Sequence, residues 1–263
     1  MSIVLAIDVG NSCNKVGMFR IDQGDGLPTC LHSLSVRADE SFPWSEIERW
    51  PEWSSELDAQ SVIATTNPRH LARVLESWPS QRPRPRQIAS PTELSLPIDL
   101  LEPSRVGIDR VLNAVAANRV RMADQPVVIV DSGTATTVDV VTATGVFAGG
   151  AILPGFELAA RSLHRYTALL PLIAIDELHG SEPPPIGKET RGALRSGLFW
   201  GQVGAIKELV LQMSRVAFPA SEGEIDTILT GGGAELLRPH FPQARFAPHL
   251  ALQGLALTCL PDK

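Results

Sequence analysis

The feature that most limits the possible folds of this chain is a strand-like run ending in Asp-x-Gly, which occurs twice. Residues 3–7 and 127–130 are runs of β-branched and aliphatic residues, as in strands buried on both faces. Asp8 and Asp131, which open the two Asp-x-Gly turns, are 123 residues apart. This spacing is that of a compact α/β lobe and is too long for a short-period solenoid. The sequence therefore predicts one α/β unit present twice.

Each Asp-x-Gly turn is followed by a second strand-like stretch, at residues 15–21 and 136–142. This order predicts the return strand of a β-hairpin, whereas a dinucleotide fingerprint would require a helix directly after the turn. With 263 residues the chain is long enough for two modest domains. We expect an N-terminal lobe over residues 1–121, ending after a helix at 110–121, and a C-terminal lobe over 122–263.

Charge and cysteine content narrow the class of partner. Lys and Arg number 23 against 29 Asp and Glu, a net charge of −6, which disfavours nucleic acid and anionic membranes as partners. The longest apolar stretch, around residues 168–175, is far below the ~18 residues of a membrane span. Cys13, Cys30 and Cys259 are too widely spaced to suggest a disulfide framework or a zinc site. The sequence predicts a cytoplasmic protein with a small-molecule partner.

The two turns have the chemistry of an anion site. We name residues 8–15 the first Asp-x-Gly turn and residues 131–136 the second. A tight turn at the carboxyl end of a buried strand presents backbone N–H groups and small hydroxyls to an anion, while the aspartate can hold a hydrated cation. Phosphate with Mg²⁺ is the expected ligand, with Asp8 on the metal side. For a single turn, an ordinary strand-to-turn corner is the competing interpretation.

A third glycine-rich stretch, the glycine segment of residues 230–234, follows a predicted strand at 227–229 and precedes a predicted helix. A turn without side chains allows a phosphate or a flat ring to lie against the backbone. Two Asp-x-Gly turns together with this segment favour nucleotide binding over ordinary corners. Gly187-Lys188 is not a P-loop, because the glycine required five residues earlier is replaced by Glu182.

A kinase acting on a hydroxyl needs a group that accepts the hydroxyl proton. Asp109, in Gly107-Ile108-Asp109-Arg110, is the candidate catalytic base, and it is expected just before the helix at 110–121. Its carboxylate would meet the positive end of the helix dipole, and Arg110 can pair with it or with an anionic substrate. The alternative is a helix-capping aspartate in a salt bridge with Arg110, and the sequence leaves the two interpretations equal.

In this order the motifs resemble the actin-like ATPase fold of sugar kinases, acetate kinase and Hsp70. That resemblance implies an α/β protein of two ribonuclease-H-like lobes with an ATP cleft between them. Over nearly the whole chain the motifs resemble those of type III pantothenate kinase, and they are Asp8-Val9-Gly10-Asn11-Ser12 with Lys15, Gly107-Ile108-Asp109-Arg110, Asp131-Ser132-Gly133-Thr134, Gly149-Gly150 with Pro154-Gly155, Thr167-Ala168-Leu169-Leu170-Pro171, Gly187-Lys188-Glu189-Thr190 and Thr230-Gly231-Gly232.

This family resemblance implies ATP-dependent phosphorylation of pantothenate to 4′-phosphopantothenate, the first step of coenzyme A synthesis. It implies ATP with Mg²⁺, a monovalent cation (K⁺ or NH₄⁺) and a homodimer with its substrate site near the interface. The monovalent cation falls on Asp131 and the general base on Asp109, and Thr190 covers the substrate from the partner subunit. The residues implied to bind ATP are Asp8, Val9, Gly10, Asn11, Ser12, Cys13, Asn14, Lys15 and Thr134. The residues implied to bind substrate are Gly107, Ile108, Asp109, Arg110, Thr190 and Leu100.

The sequence departs from the family at one substrate position. Leu100 stands where an aromatic residue is usual, so the wall of the pantothenate site is apolar without being aromatic. Two other functions remain open from the sequence. One is a non-catalytic regulator of transcription that keeps the fold, and the other is a kinase for a different small hydroxy acid.

Three arginines alternate with prolines in the first half of the chain, at Arg82, Arg84 and Arg86. This pattern is typical of a solvated linker or of a docking tag for an acidic partner. We interpret it as a solvated linker, because three exposed charges contribute little by themselves.

Overall fold

The computed structural model describes residues 2–22, 24–55, 59–179, 181–217 and 226–260. In these ranges the strands are β1 (Ser2–Val9), β2 (Cys13–Ile21), β3 (Thr29–Arg37), β4 (Gln60–Thr65), β5 (Arg86–Ile88), β6 (Val127–Ser132), β7 (Ala135–Val141), β8 (Phe147–Pro154), β9 (Asp226–Thr230) and β10 (Arg245–Phe246). The α-helices are α1 (Trp44–Ile47), α2 (Pro51–Ser55), α3 (Pro68–Glu76), α4 (Ile108–Val120), α5 (Phe156–Arg165), α6 (Asp176–His179), α7 (Thr190–Ala217), α8 (Ala234–Leu237) and α9 (Leu250–Leu257). None of these helices is long and apolar enough to cross a membrane.

The strands form two five-stranded sheets with the same internal order. One sheet runs β3-β2-β1-β4-β5 and the other runs β8-β7-β6-β9-β10. In each, the first two strands in sequence form an antiparallel hairpin, and the first strand also pairs in parallel with the fourth. The predicted α/β fold with a repeated β-hairpin is confirmed.

The first sheet is covered on both faces. The odd-numbered residues of β1, from Ile3 to Val9, belong to one apolar cluster with Trp50, Trp53 and Val74 from the α1–α3 region. The even-numbered Val4 and Ala6 are equally buried, on the side where α9 and α4 pack. Helices α4 and α9 approach so closely that a Cβ on Gly254 would lie 2.0 Å from the carbonyl oxygen of Leu112. Successive residues of β1 therefore project into two different helical layers.

The second sheet has its apolar face under α5 and α7. Val128 and Val130 of β6 and Val138 of β7 form one cluster with Phe156 of α5 and Phe199 of α7. Gly150 of β8 lies so close to β7 that a Cβ on it would approach the carbonyl oxygen of Val138 to 2.0 Å. The packing of α7 against β7 fixes the position of the hairpin that carries the second Asp-x-Gly turn.

The chain divides into two compact units. The first unit comprises residues 1–123, 145–148 and 249–263, and the second comprises residues 124–144 and 149–248. This division differs from the expected lobes at the C-terminal helix, because α9 packs against α4 and against β1. The first unit is therefore completed by a distant part of the chain.

The three proline-flanked arginines are structural, so their interpretation as a solvated linker is wrong. The Arg82 guanidinium donates to the carbonyl of Trp53 and lies 4.1 Å from the centroid of the Trp53 ring. Arg84 donates to the carbonyl of Leu75, and Arg86 donates to the carbonyl of Thr258 at 2.7 Å. Each arginine thus satisfies a backbone carbonyl of the first unit.

Candidate active site

The first Asp-x-Gly turn is closed by its glycine. The N–H of Gly10 donates to the carbonyl oxygen of Cys13 at 3.1 Å, and a Cβ on Gly10 would lie 2.6 Å from that oxygen. A larger residue would force the turn open, since real Cβ atoms do not approach so closely. Asn11 and Ser12 are exposed at the tip of the turn, and Asn11 accepts a hydrogen bond from Asn67 at 3.1 Å.

The hairpin register separates the residues of the first turn between two faces. Asp8 lies directly opposite Lys15, so both side chains project from one face, and Val9 lies opposite Asn14 on the other. The Asp8 side belongs to the layer of α4 and α9, while Val9 belongs to the cluster under α1–α3. The structure therefore brings Asp8 and Lys15 together and places Asn14, which is 3 % exposed, away from them.

Asp109 lies within the first turn of α4, which begins at Ile108 with Gly107 as its N-cap. The expectation that Asp109 precedes the helix is wrong, and so is its alternative as a capping residue. The helix starts at the buried Ile108, two residues before the expected start at Arg110. Asp109 Oδ1 accepts the N–H of Arg110 at 2.9 Å. A Cβ on Gly107 would lie 2.5 Å from the same oxygen. The carboxylate is thus held at the positive end of the helix dipole.

Arg110 and Leu100 are joined through an aromatic residue that the sequence did not indicate. The Arg110 guanidinium lies 5.7 Å from the ring centroid of Phe147, within range of a cation–π contact. The carbonyl of Phe147 accepts the N–H of Asp99 at 2.9 Å, next to the half-buried Leu100. Phe147 itself is fully buried, and its ring packs under the Arg110 guanidinium. Phe147 is far from Arg110 and Leu100 in the sequence, so no local pattern predicts their contact.

The first unit contributes one more titratable group on the side of Lys15. His249 is the N-cap residue of α9, and its own side chain makes no capping hydrogen bond. Burial lowers the pKa of His249, and the nearby positive charge of Lys15 lowers it further. Nothing in the sequence connects His249 with Lys15, because their proximity depends on where α9 packs.

The second Asp-x-Gly turn is also closed by its glycine, through a shorter loop than the first. The N–H of Gly133 donates to the carbonyl of Ala135 at 3.0 Å. The N–H of Gly155 donates to the carbonyl of Thr134 at 3.1 Å, and a Cβ on Gly155 would lie 2.2 Å from the carbonyl oxygen of Gly133. Thr134 is exposed at the tip of this turn. The segment that follows β8 is therefore pressed onto the turn.

The glycine segment also packs on the second turn. Gly231 has φ +92°, and a Cβ on it would lie 2.3 Å from Asp131 Oδ1. The N–H of Gly233 donates to the carbonyl of Ser132 at 2.8 Å. Strand β9 pairs with β6 so that Thr230 lies opposite Asp131. The second and third predicted motifs thus form one site in the second unit, with the Asp131 carboxylate at its centre.

The last predicted position, Thr190, is exposed at the first residue of α7 in the second unit. The loop before it is tightly packed, since a Cβ on Gly187 would lie 2.1 Å from the backbone nitrogen of Ala193. Glu189 accepts the N–H of Arg191 at 2.8 Å and that of Gly192 at 2.6 Å. These bonds satisfy two of the free N–H groups at the start of α7.

The donor set at the two turns suits weakly protein-bound cations. Among the described residues, no group of three or more His, Cys, Asp or Glu is placed to hold a metal ion. A cation beside Asp8 or Asp131 would thus have a single carboxylate, with backbone oxygens, waters or phosphate completing its shell. This is the coordination that Mg²⁺ adopts with phosphate substrates, and the glycine-closed turns leave backbone at the required place. The residues present fit Mg²⁺ with a nucleotide phosphate.

Solved structures with the same architecture show the fold class of the chain. Component A of (R)-2-hydroxyglutaryl-CoA dehydratase from Acidaminococcus fermentans superposes with a TM-score of 0.52 at 14% identity, covering 97% of this chain and 95% of the other. A protein from Campylobacter jejuni described as a Baf family transcriptional activator gives 0.57 at 18% identity, covering 97% and 96%. At these identities the similarity concerns the fold, and it confirms the predicted fold class.

Sequence comparison gives the family. The model of the family described as type III pantothenate kinase matches residues 4–212. The type III pantothenate kinase of Gluconobacter oxydans is 37% identical over 268 residues, covering 97% of this chain and 92% of the relative. That of Rhodospirillum rubrum is 33% identical over 263 residues and covers 97% of each chain. The chain belongs to the type III pantothenate kinase family, as its motifs predict.

Proposed function

We infer that this protein transfers the γ-phosphoryl group of ATP to the hydroxyl of pantothenate, giving 4′-phosphopantothenate for coenzyme A synthesis. The observation that carries this inference is the family match over residues 4–212, a range that contains Asp8, Asp109 and Asp131. The hydroxyl oxygen bonds to the γ-phosphorus as the bond to the leaving ADP breaks. The hydroxyl proton passes to the carboxylate of Asp109.

The first unit supplies the proton acceptor and the phosphate contacts of the first Asp-x-Gly turn. Asp8 and Lys15 project from one face of the hairpin, towards the layer that contains α4. Lys15 and the N–H groups of residues 10–12 would hold phosphate oxygens. Bound Mg²⁺ would neutralise phosphate charge, with the Asp8 carboxylate binding its waters. Val9 and Asn14 act through the shape of the turn, because they belong to its other face.

Residues 107–110, which we name the substrate motif, lie at the start of α4. We assign Gly107, Ile108 and Arg110 to pantothenate binding, with the Arg110 guanidinium available to the pantothenate carboxylate. Arg110 rests on Phe147, which limits the directions in which the guanidinium can point. Leu100 supplies apolar surface in the adjoining segment.

The second unit contributes an ATP contact and the residue that binds the monovalent cation. We assign Thr134 to ATP and Asp131 to K⁺ or NH₄⁺. Support comes from the close packing of the glycine segment, since a Cβ on Gly231 would lie 2.3 Å from Asp131 Oδ1 and 2.5 Å from the carbonyl oxygen of Ser132.

We propose that the active form is a cytoplasmic homodimer in which Thr190 reaches the partner's substrate site. The second unit has large apolar side chains on its surface, among them Leu169 at 91 % and Ile186 at 72 % exposure. Gly197, Gly201 and Gly204 leave open space along one side of α7, where another backbone can approach. Exposed apolar surface beside an open helix face is typical of a protein interface.

The decisive experiment is the substitution Asp109→Asn. This change keeps the size of the side chain and removes the proton acceptor, so we expect kcat to fall by about 100- to 10,000-fold. ADP release in the presence of pantothenate, Mg²⁺ and K⁺ is the measurement. Asp22→Asn is the matched control, since Asp22 is exposed and pairs only locally with Arg20 at 3.3 Å. ADP release by the wild type that is indifferent to pantothenate would refute the proposed function.

A further inference from the structure

A buried amide on α7 reaches the second Asp-x-Gly turn from below. Gln202 is 7 % exposed, and its Oε1 accepts a hydrogen bond from the hydroxyl of Thr136 at 3.2 Å. Its Nε2 donates to the carbonyl oxygen of Pro154. Both polar ends of the side chain are thus bonded inside the core of the second unit.

The two partners of Gln202 stand on either side of the turn. Thr136 lies directly opposite Ser132 in the hairpin, one position closer to the turn than the pair of Asp131 and Thr137. Pro154 directly precedes Gly155, whose N–H bonds to the carbonyl of Thr134. Gln202 therefore connects the returning strand of the hairpin to the segment that closes the turn.

The surroundings of Gln202 are apolar. Its neighbours along α7, Phe199, Val203 and Ile206, belong to the core cluster with β6 and β7. Burying an amide there costs its hydration, and the cost is offset only when both ends of the amide are hydrogen-bonded. An apolar side chain of equal size would not have this cost. What Gln202 adds over an apolar residue is the direction and length of two hydrogen bonds, and hence the position of the turn relative to α7.

We propose that Gln202 is a positioning residue, which fixes the second Asp-x-Gly turn on α7 in the geometry that binds nucleotide and the monovalent cation. The proposal rests on the proposed function for the assignment of ligands to Asp131 and Thr134. Gln202 is buried beneath the turn and acts on bound ligand through Thr136 and Gly155. Its loss loosens the turn, so it weakens nucleotide and cation binding, while the substrate motif of α4 in the first unit is unaffected.

The test is the substitution Gln202→Met, which keeps length and volume and removes both hydrogen bonds. Binding of a non-hydrolysable ATP analogue with Mg²⁺ is measured by calorimetry on the full chain, together with KM for pantothenate and the melting temperature. Loss of two bonds of ordinary strength predicts about five- to twentyfold weaker nucleotide binding, a higher half-saturating K⁺ concentration and KM for pantothenate within about twofold of wild type. Gln212→Met is the matched control, because Gln212 is exposed on the same helix and bonds only to Glu208 at 2.6 Å.

Thr136→Val gives a second, milder probe, since it removes one of the two bonds and leaves α7 unchanged. It should weaken nucleotide binding in the same direction, and the double variant should be no worse than Gln202→Met by more than about twofold, because both changes break the same bond. Nucleotide affinity of Gln202→Met equal to that of the wild type or of Gln212→Met, with only the melting temperature lowered, would overturn the proposal.

The two proposals fail separately. A wild type that binds the analogue but does not phosphorylate pantothenate refutes the proposed function, and the comparison of nucleotide affinities still decides the role of Gln202. A wild type that phosphorylates pantothenate, with a Gln202→Met variant that binds nucleotide normally, refutes the role of Gln202 alone.

Discussion

Gly231 is the residue whose replacement the second turn tolerates least. Its φ of +92° is unfavourable for any residue with a side chain, and a Cβ would lie 2.3 Å from Asp131 Oδ1 and 2.5 Å from the carbonyl oxygen of Ser132. Gly231→Ala should push the carboxylate from its place, lower stability by about 1–3 kcal/mol and raise the half-saturating K⁺ concentration severalfold. Denaturant unfolding and a K⁺ titration of activity are the measurements.

The neighbouring glycine provides the control for this substitution. Gly232 has a φ outside the positive range, and a Cβ on it would meet nothing within 4 Å. Gly232→Ala should leave both stability and the K⁺ requirement within the scatter of ordinary surface changes, about 0.5 kcal/mol. Equal effects at positions 231 and 232 would mean that the contact with Asp131 has no part in cation binding.

At this scale the sequence predicts turn chemistry better than side-chain placement. Gly10 and Gly133 were expected in tight turns because Asp-x-Gly after a strand has few other conformations. The pairing of Asp8 with Lys15 depends on the hairpin register, which the three turn residues 10–12 decide. Phe147 under Arg110 could not be predicted, because the contact joins segments that are far apart in the chain and carries no local pattern.

At the scale of elements, the N-cap of α9 should make the stability of the protein depend on pH. Its N-cap, His249, has a pKa below the ordinary 6.5, first because burial disfavours the charged imidazolium and second because Lys15 repels it. The unfolded chain therefore binds the proton more readily than the folded protein, so this contribution to stability is complete above pH 6.5 and is lost as the pH falls below it. His249→Gln should make the melting temperature fall less steeply between about pH 7 and pH 5.

The control for this measurement is His164→Gln, which changes an exposed histidine of α5 in the same way. Parallel melting curves for wild type and His249→Gln across this pH range would show that His249 has no part in the acid sensitivity. A flattened curve for His249→Gln alone would locate the effect at the start of α9.

Elements with a clear apolar pattern were predicted within a few residues, as the return strands β2 and β7 show. Strand β3 was missed because it is an edge strand, with exposed and half-buried residues alternating along it and no continuous apolar run. Helix α4 begins at Ile108, earlier than expected, since Gly107 serves as its N-cap without any capping side chain. Local pattern gives the existence of an element, whereas its ends depend on what it packs against.

At the scale of the whole molecule, the duplication could be predicted from two Asp-x-Gly turns, and the identical strand order of the two sheets follows from it. The exchange of segments between the units could not. Residues 145–148 and α9 belong to the first unit because of tertiary packing, such as that of Gly254 on Leu112, which leaves no periodic signal. The net charge of −6 does not predict how a small anion binds, because that depends on local groups, and Lys15 and Arg110 are the ones that we propose for it.

The proposed homodimer gives the prediction at this scale. Gly197 faces open space on α7, seven residues after Thr190. Gly197→Arg should place a charged side chain in the interface, so light scattering should give the mass of one chain where the wild type gives two. Pantothenate phosphorylation should fall at least about tenfold, because the partner's Thr190 is lost and each tenfold step requires only about 1.4 kcal/mol.

Met122→Arg is the control for the dimer, since Met122 is an exposed apolar residue of the first unit. It should leave both mass and activity unchanged. A wild type that already has the mass of one chain while it phosphorylates pantothenate at full rate would contradict the homodimer.

The membership of α9 in the first unit has a consequence for synthesis on the ribosome. The layer of β1 that holds Asp8 waits for residues 250–257 to emerge, although β1 comes far earlier in the chain than α9. The second unit has all of its segments before that point, in residues 124–144 and 149–248. Since domains fold as units during translation, we expect the second unit to be able to mature before the first, whose sheet stays uncovered until α9 has been made.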